Sequence, residues 1–184
     1  MQRATFLLTG LALLAVVPPS LGAQSADADR AALIRNALSA APPSVAEHAT
    51  VALPTGETLR AGSNGYVCMP DDPNVPNNSP MCLDEPWLEL IDAWMNQREP
   101  QVTSMGVSYM LQGDMPVSNV DPFATEATPD NAWIQSGPPH IMVVIPDAAA
   151  LEGLPTDPHN GGPWVMWKGT PYAHIMIPTV PRGR

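Results

Sequence analysis

Residues 138–146, PPHIMVVIP, and residues 171–178, PYAHIMIP, both contain the triplet His-Ile-Met and both end at a proline. Their residues are mostly β-branched or otherwise apolar, and proline cannot donate to a sheet ladder, so each run predicts a strand that stops at its proline. Side chains alternate along a strand, so the histidine and the methionine of each triplet face the same way. Because both faces of both runs are apolar, the pattern is typical of core strands that are covered on two sides.

The shared face of these two strands predicts a candidate metal site. If the strands are neighbours, two imidazoles and two thioethers lie near one another, and a methionine of residues 164–168 can join them. Imidazole with thioether is a ligand set suited to Cu(I). The candidate copper ligands are His140, Met142, Met166, His174 and Met176. The alternative, which the sequence favours, is that the methionines fill core gaps and that each histidine is an exposed or hydrogen-bonded residue at the start of a strand.

Residues 84–97, DEPWLELIDAWMNQ, predict the clearest helix in the chain. Asp84 can cap its first turn, and Pro86 falls where a missing N–H does no harm. One face of this helix is apolar and carries Trp87, Leu90, Ile91 and Trp94 at helical spacing. A face of this width predicts that the helix packs on a sheet.

The remaining elements predict an α+β domain. Residues 25–41 read as an N-terminal helix that Asp27 or Asp29 can cap. Short strands with turn residues between them follow up to residue 69, and residues 102–111 read as a further strand. The pattern predicts a mainly antiparallel sheet, packed by the N-terminal helix and the tryptophan-containing central helix. The 23 prolines lie largely between these elements and predict long Pro-rich loops.

The longest of these loops, Met115–Gly137, is proline-spaced and has few apolar anchors. Connections of this length in a compact domain are usually functional, so this one is a candidate lid or groove wall.

Residues 1–23 predict a cleaved signal peptide. Arg3 supplies the positive end, Phe6 to Val17 form the apolar segment, and Ala23 precedes the predicted cleavage site. The apolar segment is too short for a membrane anchor. Residues 24–184 then form a single exported α+β domain, periplasmic or secreted, which has no membrane association after cleavage.

Charge excludes two classes of partner. The formal net charge is −10, and Lys168 is the only lysine in the chain. Phosphate backbones and anionic lipid surfaces require clusters of positive side chains. Nucleic-acid binding and polybasic membrane binding are therefore not expected.

The two cysteines, Cys68 and Cys82, predict a disulfide, because oxidation is the default for exported chains. Their spacing is not the Cys-x-x-Cys of a thioredoxin-like redox motif, so the predicted role of the bridge is structural.

The chain contains no GxSxG, HExxH or Walker motif. The first hypothesis is therefore a non-enzymatic exported module that binds a small molecule or a metal ion beside the Trp-rich residues 164–168. The alternative is a periplasmic hydrolase that uses His140 or His174 with an acidic partner. A third possibility, a protein-interaction domain, predicts an exposed apolar patch around Trp164 and Trp167.

Several stretches also carry a resemblance as a set: NGYVCMPDDP, SPMCLDEPW, GVSYMLQGD, DPFAT, GPPHIMVVIP and GGPWVMWKGTPYAHIMIP. In their order they resemble a family of uncharacterised exported bacterial proteins, and the resemblance runs from about Asn64 to Pro178. It implies a single exported bacterial domain. It implies no activity, cofactor or site residue.

Overall fold

The computed structural model describes residues 21–180. Most of the predicted signal peptide, residues 1–23, lies outside the described residues, and it stays a prediction. The described chain has the predicted α+β architecture, in which helices pack on a large, mostly antiparallel sheet.

The helices are α1 (Leu21–Leu38), α2 (Pro43–Ala46) and α3 (Glu85–Met95), and a 3-10 turn spans Ala148–Leu151. The strands are β1 (Thr50–Ala52), β2 (Thr58–Arg60), β3 (Val67–Met69), β4 (Met81–Leu83), β5 (Gly106–Met110), β6 (Val117–Ser118), β7 (Trp133–Ile134), β8 (His140–Val144), β9 (Trp164–Met166) and β10 (His174–Pro178). Eight of them form one sheet in the order β2-β1-β3-β4-β5-β8-β10-β9, and β6 pairs with β7 separately. Within the large sheet only the β1–β3 pair is parallel.

The first half of the sheet is covered by α1. Cys68 lies directly opposite Cys82 on antiparallel β3 and β4, and the two form the predicted disulfide. Both cysteines are fully buried in a cluster of small residues that includes Ala37 of α1. The prediction that Asp27 or Asp29 caps this helix is wrong, because α1 begins at Leu21 and both residues lie within it.

The opposite face of the sheet is covered by α3, as predicted. The Asp84 side chain accepts from the backbone N–H of Trp87 at 3.2 Å and from that of Val107 at 2.6 Å. The cap therefore also fixes the helix to β5. A Cβ at Gly106 would lie 2.7 Å from Pro86 Cβ, so glycine permits this close approach. Trp87 and Leu90 are each 1 % exposed beneath the helix.

The predicted two-sided cover of the late strands is wrong for one face. On β8 and β10 the residues that face α3 are buried, but the alternating residues Ile141, Val143, Ile175 and Ile177 are only partly buried. The reason is that α1, which covers this face, packs mainly on β1 to β4.

The long connection, residues 115–136, is ordered by tryptophan side chains. Asp114 and Gly137 form a β-bridge at its two ends, and β6 and β7 pair within it. Three indole N–H groups donate to it, from Trp94 to the Pro122 carbonyl (2.9 Å), from Trp164 to Asn119 Oδ1 (2.9 Å) and from Trp167 to the Ser118 carbonyl (2.8 Å). The connection therefore packs against the part of the core that contains Trp94, Trp164 and Trp167.

Across residues 21–180, none of the helices combines the length and the apolar character that a membrane span requires.

Candidate functional site

The two His-Ile-Met triplets lie on neighbouring strands. β8 and β10 are antiparallel, and Met142 lies directly opposite Met176. Each histidine precedes its methionine by two residues, so the two triplets are related by an approximate two-fold axis through the methionine pair. This repeat could be seen in the sequence, but the register that centres it on the methionines could not.

All five predicted ligands lie on the sheet face that α3 covers. Met166 on β9 is among them because it lies opposite His174. None of them is a surface residue. Their exposed fractions are 0 % for His140, 7 % for Met142, 3 % for Met166, 2 % for His174 and 2 % for Met176. Each histidine begins its strand, as the sequence predicts, but neither is exposed.

The structure does not bring the two imidazoles together. His140 lies opposite Pro178, which is four residues beyond His174 on β10 and corresponds to about 13 Å of strand. The His174 ring lies between the indoles of Trp87 and Trp167, with ring centroids 5.1 Å from each in edge-to-face contact. Met142 and Met176 therefore lie between two imidazoles that occupy different parts of the core.

Both imidazoles are held in the same orientation by their own strands. Nδ1 of His140 lies 2.7 Å from the Pro138 carbonyl oxygen, and Nδ1 of His174 lies 2.9 Å from that of Tyr172. A carbonyl oxygen only accepts hydrogen bonds, so Nδ1 carries the proton and Nε2 of the neutral ring keeps its lone pair. Neither Nε2 atom has a hydrogen-bond partner among the described residues. A backbone carbonyl on one ring nitrogen and a free lone pair on the other is the usual state of a metal-binding histidine.

Burial keeps His174 neutral. Removal from water, with a smaller effect of the His140 charge, lowers the pKa of His174 to about 4 against the opposing hydrogen bond to Tyr172. At neutral pH this imidazole is therefore a base with an unshared lone pair in the core.

Two further unpaired polar atoms lie in the buried part of the described structure, Trp87 Nε1 and Ser108 Oγ. Ser108 is fully buried and lies opposite Met142 on β5 and β8, so it shares the face of the methionine pair. Buried polar groups are nearly always hydrogen-bonded, so several unpaired atoms in the core between α3 and the sheet are unusual. Sequence reasoning missed Ser108, although a serine between Gly106 and Met110 on an inward face was a usable signal.

Asp114 is the acidic neighbour of His140. Its Oδ2 lies 3.9 Å from His140 Nε2, and 13 % of its side chain is exposed. Burial raises the pKa of the Asp114 carboxyl, against the lowering effect of His140. A Cβ at Gly137 would lie 2.5 Å from Asp114 Cβ, so this approach requires glycine. The sequence does not predict the contact between Asp114 and His140, because one residue precedes the long connection and the other follows it.

A groove of about 130 Å³ reaches this layer near His174. It is lined by residues of α3, β8 and the turn before β10, among them Leu90, Val144, Thr170 and Ala173. One of these residues, Ala173, directly precedes His174.

The prediction of an exposed patch at Trp164 and Trp167 is wrong. They are 1 % and 7 % exposed, because both indoles turn inward and donate to the long connection. The chain therefore does not present these tryptophans to a protein partner.

A search of residues 21–180 for three or more His, Cys, Asp and Glu side chains able to hold a metal ion found no such group. A metal site on the α3 face would therefore depend on thioether donors. Comparison with protein-family models, curated proteins and solved structures found no match for this chain.

Proposed function

We propose that this chain is an exported binding protein for the soft metal ion Cu(I). The ion is held in the core layer under α3 by the thioethers of Met142 and Met176 and by a histidine Nε2. One observation carries the proposal: two buried imidazoles, each held by Nδ1 on a backbone carbonyl, present unpaired Nε2 atoms on the same face as a buried methionine pair.

The donor set selects the ion. Thioether sulfur and neutral imidazole are soft or borderline ligands that favour Cu(I) over harder divalent ions. Both cysteines of the chain are joined in the disulfide, so methionine is the only sulfur ligand that remains. Met166, opposite His174, is a further thioether on the same face.

The energetic cost of the arrangement supports the same function. An unpaired buried polar atom costs about 1–3 kcal/mol relative to a paired one. Coordination of an ion by Nε2 would remove that cost for the imidazole concerned. A core that keeps such atoms unpaired is less stable than an apolar one of the same shape, which is expected where binding matters more than stability.

Two features support export. The chain contains a buried disulfide, which forms in oxidising compartments. The predicted signal peptide, residues 1–23, would direct the chain there.

The test is Cu(I) binding by protein isolated from the periplasmic fraction of an expressing bacterium. Anaerobic titration against a chromophoric Cu(I) chelator should give about one ion per chain. Replacement of both central methionines, Met142→Leu with Met176→Leu, should weaken binding at least about tenfold, because leucine keeps the volume and removes the sulfur. The exposed Met95, 66 % accessible, provides the matched control Met95→Leu. Wild-type protein that takes no Cu(I) from the chelator would refute the proposal.

A second candidate function is hydrolysis, which the contact between Asp114 and His140 favours. Ser108 lies diagonally across from His140 on β5 and β8, so a serine, an imidazole and a carboxylate occupy neighbouring positions. Ser108 and His140 are fully buried, which gives a substrate no approach in this conformation, and the candidate ranks second. Turnover of a p-nitrophenyl ester that disappears in Ser108→Ala would promote it.

A further inference from the structure

We infer that the ion occupies the His140 side of the methionine pair, with Asp114 as its counter-charge. This inference rests on the proposed function and assigns the ion to one of two pseudo-equivalent positions.

The spacing of Asp114 and His140 fits an ion. Asp114 Oδ1 accepts from the Met115 backbone N–H at 2.8 Å, which leaves Oδ2 directed at His140. The separation of 3.9 Å between Oδ2 and Nε2 is too long for a hydrogen bond. The carboxylate therefore lies beside Nε2 without occupying it, close enough to act as the counter-charge of an ion bound there.

Charge distinguishes the two positions. A cation removed from water needs a nearby negative charge, because desolvation of an unpaired ion is costly. At the His140 position Asp114 supplies it. At the His174 position the ring contacts are the indoles of Trp87 and Trp167, which carry no formal charge.

The experiment is chelator competition with Cu(I) at neutral pH on the full chain. Asp114→Asn should lower the affinity about 10–100-fold, as for other groups that support a metal ligand. The matched control is Asp130→Asn, because Asp130 is exposed and lies in the same connection. His140→Gln should lose binding, and His174→Gln should keep it within a few-fold.

A second variant tests the position of the Asp114 carboxylate separately from its charge. Gly137→Ala would place a methyl group 2.5 Å from Asp114 Cβ and so displace that side chain without changing its charge, and it should weaken Cu(I) binding through displacement of the carboxylate. If the methionine double variant loses Cu(I) while Asp114→Asn and Gly137→Ala bind as wild type does, the inference fails and the proposed function stands. Loss of binding in His174→Gln but not in His140→Gln would also overturn the inference. Wild-type protein that binds no Cu(I) would remove the proposed function itself.

Discussion

The two halves of the sheet are held together in different ways. Under α1, small residues and the buried Cys68–Cys82 disulfide fill the core, and the buried ends of polar side chains are bonded. Arg60, for example, donates to the carbonyls of Ala46 and Ala49 at 2.6 Å each. Under α3, tryptophans and methionines fill the core, and all four of the unpaired buried side-chain atoms of residues 21–180 belong to that layer. The first half has its buried polar groups paired, and the second keeps buried polar groups that are unpaired within the described residues.

The largest expected effect comes from removal of the main aromatic contact of the α3 half. Trp87→Ala should lower the free energy of unfolding by about 3–5 kcal/mol, because it leaves a cavity beneath the helix that its neighbours cannot fill. Urea denaturation followed by fluorescence measures the change. Leu33→Ala, at a 37 % exposed position on α1, is the control and should cost less than about 1 kcal/mol. Equal losses in the two variants would contradict the described packing.

The α1 half depends on its disulfide. Cys68→Ala with Cys82→Ala should cost about 3 kcal/mol, since the bridge closes a loop of about 15 residues in the unfolded chain. Hydrogen exchange should report lost protection in β1 to β4 and little change in β8 to β10. Uniform loss across the sheet would show that the two halves unfold as one unit.

The α3 half should be the acid-sensitive one. The pKa of His174 lies near 4 in the folded chain and near 6.5 in the unfolded chain, so the unfolded chain binds more protons between these values and stability falls as the pH drops. From about pH 7.5 to 5 the expected loss from His174 is about 2 kcal/mol. The raised pKa of Asp114 acts with the opposite sign, so the measurement is the difference between the wild-type and His174→Gln pH profiles. Parallel profiles would contradict the burial of a neutral imidazole.

The smallest effect concerns two buried serines. Ser108→Ala removes an unpaired hydroxyl and should leave stability unchanged or raise it by about 1 kcal/mol. Ser118 is equally buried, but its hydroxyl donates to the Asn131 carbonyl and accepts from the N–H groups of Val120 and Asp121. Ser118→Ala should therefore cost about 1–3 kcal/mol. Thermal denaturation of both variants settles the sign, and a clear loss in Ser108→Ala would mean that this hydroxyl is paired.

Structural features that depend on residues close together in the sequence were the ones that could be predicted. The α3 helix was predictable because its cap at Asp84 and its apolar spacing lie within fourteen residues. The shared face of each histidine and methionine followed from strand alternation alone. The strand Met81–Leu83 is not indicated by the sequence, because a run rich in proline and asparagine directly precedes it.

The site was less predictable than the fold. The register that sets Met142 opposite Met176, and the approach of Asp114 to His140, depend on contacts between distant parts of the chain. No local pattern encodes them, because a slip of one residue in strand pairing would turn every side chain to the other face.

The most direct test of the methionine pair as a metal site is NMR of protein labelled with ¹³C at the methionine methyl groups. The chain has ten methionines, and Met→Leu variants assign the signals. On anaerobic addition of Cu(I), the methyl signals of Met142 and Met176 should shift and saturate at about one equivalent, while those of the exposed Met95 and Met105 stay in place. If the exposed methionines shift and the buried pair does not, the chain binds copper only at its surface and the core site is refuted.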